Sequence, residues 1–269
     1  MSFVNRRGAF KTSFSTRDSA PLRRECELGE LLMQRRDLLK AVVGSVASVG
    51  LLESFGAANA ADAKTSSTPT QARGNSMKKY DNDYFYKDGV FQQDRAFEAY
   101  YEMFAEMNYS LADSLRSNKD FWVADFGIGD FANVGMAGIF FFNDKEFRYF
   151  GHDIYLLPGQ MIPEHRHLAA EGLPAKHESW QVRHGSIYNF SEGGEKTPQV
   201  LAMLPKSQLE ANAINCFNYK YMTVGDQDRL GKLEAPHFMM AGSEGAIVTE
   251  YACYHSMDGL KFTFPGAHP

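Results

Sequence analysis

Beyond Ser117 the chain is written in short apolar or alternating runs, with residues 138–142, 153–157, 179–190 and 246–254 among them, punctuated by Gly, Pro, Asn and Asp. Alternation with a period of two puts every second side chain on one face of an extended strand, and the turn residues between runs fold successive strands back on each other. Many such strands, without a repeat of about 20 to 50 residues, predict a mainly β sandwich or barrel. One helix precedes them. Between Gln93 and Leu115, the side chains Phe97, Tyr101, Phe104, Leu111 and Leu115 fall on one helical face and Glu98, Glu102 and Glu106 mostly on others, which predicts a helix packed on the sheet.

The chain carries a net charge of −5. Its first sixty residues hold nine basic side chains against six acidic ones, which leaves the remainder at −8. An acidic body argues against nucleic acid as a partner. Of three cysteines, Cys26 lies near the start, and Cys216 and Cys253 are too few for a disulfide framework and too far apart for a structural zinc motif. Both are expected to be small packed residues.

Residues 33–60 read as a targeting segment. Arg35 and Arg36 are followed by Leu38, Leu39 and Lys40, a weakly apolar run from Ala41 to Leu52, and Ala58-Asn59-Ala60. This order resembles a twin-arginine (Tat) signal peptide, with cleavage expected before Ala61. The apolar run is shorter than the roughly 20 residues of a membrane helix, so no permanent anchor is expected. Residues 1–32 show no apolar period and are read as lying upstream of a true start at Met33. Residues 61–78 hold no aromatic residue and almost nothing to bury and are read as a flexible linker, leaving 79–269 as the folded domain. A bacterial protein exported through the Tat translocase to the periplasm or the medium is the expectation.

The densest chemistry lies between residues 155 and 190. His165 and His167 are two apart, and on a strand that spacing points both imidazoles to one side. Glu178 shares a face with Trp180 and Val182, so its carboxylate points toward the expected core, where it needs a cation or hydrogen-bond donors. A third imidazole comes from His237, which shares a face with Met239; the Gly242-Ser243-Glu244-Gly245 turn that follows would make a hairpin and bring a late strand back beside the first motif. Three imidazoles and one carboxylate suit a divalent transition metal, Mn first and Fe, Co, Ni or Zn as others, rather than Mg or Ca. His152, His177, His184, His255 and His268 have no spacing that calls for ligation, and supporting or surface positions are expected for them.

Gly159, His165, His167, Glu178, Gly185 and His237 together resemble the cupin motif, with ten residues between His167 and Glu178 where three or four are usual. That longer spacer, and Lys176 two residues before Glu178, are similar to the D-lyxose isomerase type of cupin. The segments FWVADFGIGDF at 121–131 and VTEYACYHSMDGLKF at 248–262 extend the likeness. The resemblance implies a cupin jelly-roll barrel with the N-terminal helix on its sheet. It implies a metal-dependent aldose–ketose isomerase acting on a free sugar such as D-lyxose or D-mannose, with Glu250 as the base and Lys176 as acid or oxyanion stabiliser. It also implies a homodimer, by analogy. Two other readings share the ligand set: a metal-dependent cupin dioxygenase, with Trp180, Tyr188 and Phe190 lining an apolar pocket, and a non-catalytic carbohydrate-binding protein.

Overall fold

The computed structural model describes residues 77–111 and 120–269. The expected export signal, most of the expected linker, Cys26 and Leu115 lie outside them. A short helix α1 (Asn82–Phe85) leads into a two-stranded hairpin, β1 (Tyr86–Lys87) and β2 (Val90–Phe91), and then helix α2 (Gln93–Glu106). The strands that follow are β3 (Phe121–Ala124), β4 (Met136–Asp144), β5 (Tyr149–Leu156), β6 (His165–His167) and β7 (Glu178–Ser191). Two short helices, α3 (Pro198–Met203) and α4 (Lys206–Glu210), separate these from β8 (Asn218–Thr223), β9 (Gln227–Arg229), β10 (His237–Ala252) and β11 (Leu260–Phe262).

All strand pairs are antiparallel, and β10 is the hub. One edge of β10 pairs with β7 along nearly its whole length; the other pairs with β6 at His237 and with β5 from Ala246 to Ala252. The sheet continues through β4 to β3 on one side and through β7 to β8 and β9 on the other. The fold is mainly β, a cupin jelly-roll barrel with a helix packed on its sheet.

Alternation along the central strands buries both faces. Ile154, Val182 and Val248 point inward into a core with Met136, Leu156 and Met239. Their neighbours Tyr155 and Ile247 point outward and are covered by Tyr100, Met103 and Phe104 of α2. The helix is shorter than its apolar pattern predicts, and its buried face is centred on Ala96, Tyr100 and Phe104, with Phe97 and Tyr101 half-buried beside them. Asn108 ends it. With φ of 52° it takes the left-handed conformation, and the bonds from Asn108 N–H to the Ala105 carbonyl and from Tyr109 N–H to the Phe104 carbonyl close a Schellman turn. Leu111 reaches the core from the loop beyond, with 5% of its surface exposed.

Residues 242–245 do not make the expected hairpin. They form a bulge within the single strand β10, whose register with β7 jumps from Ala241↔Ile187 to Ala246↔Gly185. A Cβ on Gly185 would strike the carbonyl of Gly245, and both glycines have positive φ. The two backbones therefore touch where the paired strands bend, which explains the glycine at position 185.

Candidate metal centre and active site

The bend brings together residues that the ladder holds apart. Register places His237 opposite Ser191, and Glu178 at the other end of β7 opposite Ala252. Yet His237 Nε2 lies 3.5 Å from Glu178 Oε2, because the two long strands curl over the interior. On β6, His165 is the cross-strand partner of His237, and their ring centres are 4.5 Å apart. His167 Nε2 is 3.0 Å from Glu178 Oε1. One ligand atom from each of His165, His167, Glu178 and His237 lies within 4.8 Å of all the others.

The cluster has the geometry of ligands aimed at a shared point. Bonds of about 2.1 Å to one ion put neighbouring donors about 3 Å apart and opposite donors about 4 Å apart. Nδ1–H of His165 donates to the Pro163 carbonyl and Nδ1–H of His237 to that of Ala235, which leaves each Nε2 as the free lone pair. His237 Nε2 and Glu178 Oε1 are buried without an aligned hydrogen-bond partner. Burial, and next the neighbouring imidazoles His237 and His167, push the His165 pKa well below its ordinary value; burial also lowers that of His167, against the pull of Glu178. Both rings are thus neutral and able to ligate. Burial pushes the His237 pKa down as well, but the Glu178 carboxylate overcomes it and holds the ring above its ordinary value. Burial would also raise the Glu178 carboxyl, yet Lys176 and then His167 and His237 hold it well below the usual range. The residues present fit a divalent transition metal.

A second buried group adjoins the first. Lys176 Nζ is 2.5 Å from Glu250 Oε1, 3.8 Å from Glu178 Oε2 and 4.5 Å from the centre of the Phe150 ring. The other oxygen of Glu250 is 2.9 Å from His152 Nε2. Burial opposes ionisation of Glu250, but Lys176, assisted by His152, depresses its pKa to about 2 despite the nearby Glu178 charge. Both groups line one cavity of about 350 Å³, a volume suited to a small organic molecule.

All six side chains singled out in the sequence, Lys176, Glu250 and the four candidate ligands, meet here. Two others that join them carried no spacing signal. His152 sits across the ladder from Glu250, and His255 lies 5.3 Å from His167 and stacks on Phe150. The sharing of a strand face by His152, Ile154 and Leu156 is the one sequence trace of its inward direction. His177 turns away from Glu178, with Nε2 at 2.9 Å from the Leu230 carbonyl. Trp180 lines the cavity, but Tyr188 and Phe190 pack in a different cluster around Phe238 and are not part of its wall.

No protein-family model matches the chain. Among curated proteins, it is 32% identical over 168 residues to a D-lyxose/D-mannose isomerase of Thermosediminibacter oceani, spanning 62% of this chain and 88% of that one. It is 31% identical over 164 residues to a D-lyxose ketol-isomerase of Cohnella laeviribosi, spanning 61% and 86%. A solved structure of Cellulomonas parahominis L-ribose isomerase with L-ribose superposes with a TM-score of 0.48 at 14% identity, over 65% of this chain and 92% of that one. Identity at this level, along nearly nine-tenths of the T. oceani protein, shows that the chain belongs to the D-lyxose/D-mannose isomerase family.

Proposed function

We propose that this protein is a metal-dependent aldose–ketose isomerase acting on a free sugar. The observation that carries the reading is the adjacency of two buried groups on one cavity: four converging ligands, and the Lys176–Glu250–His152 chain beside them. Family membership supports the same chemistry.

The metal, when bound, supplies Lewis-acid polarisation of a carbonyl and the neighbouring hydroxyl. Glu250, kept ionised by Lys176 and His152, is the group that removes the proton from C2 of the open-chain aldose. Lys176 donates a proton to O1, giving the enediol. As Lys176 turns from Glu250 toward that oxygen, the carboxylate loses its nearest cation and becomes more basic. Glu250 then returns its proton to C1 while Lys176 recovers one from O2, which leaves the ketose and restores both side chains. Burial of the whole group excludes bulk water that would exchange the proton in transit.

Mn is the proposed metal, and D-lyxose and D-mannose are the first substrates to test. We further propose that residues 33–60 direct Tat export and that 79–269 is the working domain. Transport in the folded state lets the ion be loaded before the chain meets competing Cu and Zn, which supports the pairing of this signal with this ligand set. Among the described residues no helix is long and apolar enough to cross a membrane. N-terminal sequencing of protein recovered from the periplasm should begin at Ala61. A homodimer is the proposed assembly, to be measured by light scattering.

The decisive experiment is elemental analysis of the purified protein beside a His165→Ala, His167→Ala double variant, with aldose–ketose interconversion assayed in the same samples. Stoichiometric metal that the variant loses, together with turnover without oxygen, supports the isomerase. Metal without sugar turnover, accompanied by oxygen uptake, would move the reading to a cupin dioxygenase.

A further inference from the structure

The polar side chains of the cavity stand together at one end of it. Cross-strand register sets out the inner face of the sheet in rows. One row runs through Trp180, Glu250, His152 and Phe140 on β7, β10, β5 and β4. The next row, two residues along each strand and so about 7 Å away, runs through Val182, Val248, Ile154 and Gly138, with Trp122 opposite Gly138 on β3. Apart from the indole N–H of Trp122, this second row is hydrocarbon. The six-membered ring of Trp122 lies over Gly138, where a Cβ would run into it, so the glycine lets the indole lie flat across the sheet. Of this row, Ile154 and Trp122 line the cavity, whose wall continues through Ala124, Phe126, Met136 and Ile162.

Such a wall is ill-matched to a fully hydroxylated sugar. Trp122 Nε1 and Trp180 Nε1 are buried donors without a partner, but neither can accept a hydrogen bond. With C1 and C2 at the ligand cluster, C6 of a hexose is the atom farthest along the chain, and a sugar laid along the strands would bring it toward the second row. A hydroxyl there can accept from Trp122 Nε1 but finds no acceptor for its own proton, whereas a methyl finds van der Waals partners along the rest of the wall.

We propose that the preferred substrate is a 6-deoxy sugar, whose reacting end meets the ligand cluster and Lys176 and whose terminal methyl rests on Ile154, Met136 and Ala124. This rests on the isomerase reading above and narrows its substrate class.

The test compares 6-deoxy-D-mannose with D-mannose, which differ only by the C6 oxygen, on the metal-loaded full chain. A kcat/KM ratio of roughly 10- to 100-fold in favour of the deoxy sugar is expected, the range in which an apolar pocket discriminates a single group. Ile154→Thr adds an acceptor to the second row and is expected to narrow that ratio at least about 3-fold, whereas general damage would lower both sugars alike. Calorimetry on the unmodified protein with the matching alditols, 6-deoxy-D-mannitol and D-mannitol, reads the same preference without turnover and without a variant. Equal or better use of D-mannose, or equal binding of the alditols, overturns the proposal. If the deoxy alditol binds more tightly but neither sugar turns over, the apolar subsite stands and the isomerase reading fails.

Discussion

At the scale of single residues, two buried groups outside the catalytic chemistry carry measurable consequences. Glu164, fully buried beside the first ligand, accepts hydrogen bonds from the backbone N–H groups of Asn215 and Cys216, from Asn215 Nδ2 and from Thr263 Oγ1. Glu164→Ala strands four donors, and a loss of about 3–5 kcal/mol is expected in urea unfolding. The sequence announced none of this, because the partners lie 51 to 99 residues away. Burial, and next the Glu164 carboxylate, push the Cys216 thiol well above its ordinary value of 9.0. Folded Cys216 therefore keeps a proton that the unfolded chain releases. Stability contributed by this group is complete below pH 9.0 and is lost as pH rises beyond it, by up to about 1.4 kcal/mol per pH unit. Cys216→Ala should flatten the alkaline limb of the stability curve, measured below the range where Tyr100 and Tyr155, also raised by burial, begin to contribute.

At the scale of elements, β10 shows how the same sequence signal supports two structures. The Gly242-Ser243-Glu244-Gly245 segment has the composition of a hairpin turn, and Ser243 and Glu244 are indeed exposed. Strand pairing overrides that local preference, since a 16-residue β10 laid along β7 satisfies backbone groups on both sides of the bulge. Because the backbones of Gly185 and Gly245 meet at the bend, Gly185→Ala is expected to destabilise the fold by about 2–4 kcal/mol. The same change should weaken metal affinity, since the bend carries His237 to Glu178; titration of the apo variant with Mn reads this separately from stability. Helix α2 errs in the other direction. Its aromatic pattern was legible, but the apolar period continues past Glu106 into Leu111, and only the left-handed Asn108 ends the helical path. Asn is an acceptable C-terminal residue in that role, yet its presence alone does not mark where a helix stops.

At the scale of the whole molecule, a metal bound at the candidate site would couple to stability. The four candidate ligands drawn from β6, β7 and β10 converge only in the folded state, so an ion bound there would stabilise the native form by mass action. At a free metal concentration about a hundred times Kd this is about 2.7 kcal/mol, or a rise in Tm of roughly 5–10 °C for a domain of this size. Chelation should lower Tm by that amount, Mn should restore it, and the His165→Ala, His167→Ala variant should show no metal-dependent shift. The interior carries two kinds of lining in separate rows: polar groups at the candidate ligand end and hydrocarbon beyond them, with the second row packed into the barrel core.

The amino-acid sequence by itself determined the mainly β class, the helix ahead of it, the pairing of His165 with His167 and the inward direction of Glu178, because each follows from a local period of two or 3.6 residues. His237 was reached from its strand face and an expected hairpin that the structure replaces with a bulge, and likeness to a known family then extended the site to Lys176 and Glu250. The recruitment of His152 and His255, the ion pair between Lys176 and Glu250, and the apolar row behind them were decided by tertiary structure alone. These depend on which strands lie side by side and where the sheet bends, and strand register is a property of distant segments meeting, which no local period encodes.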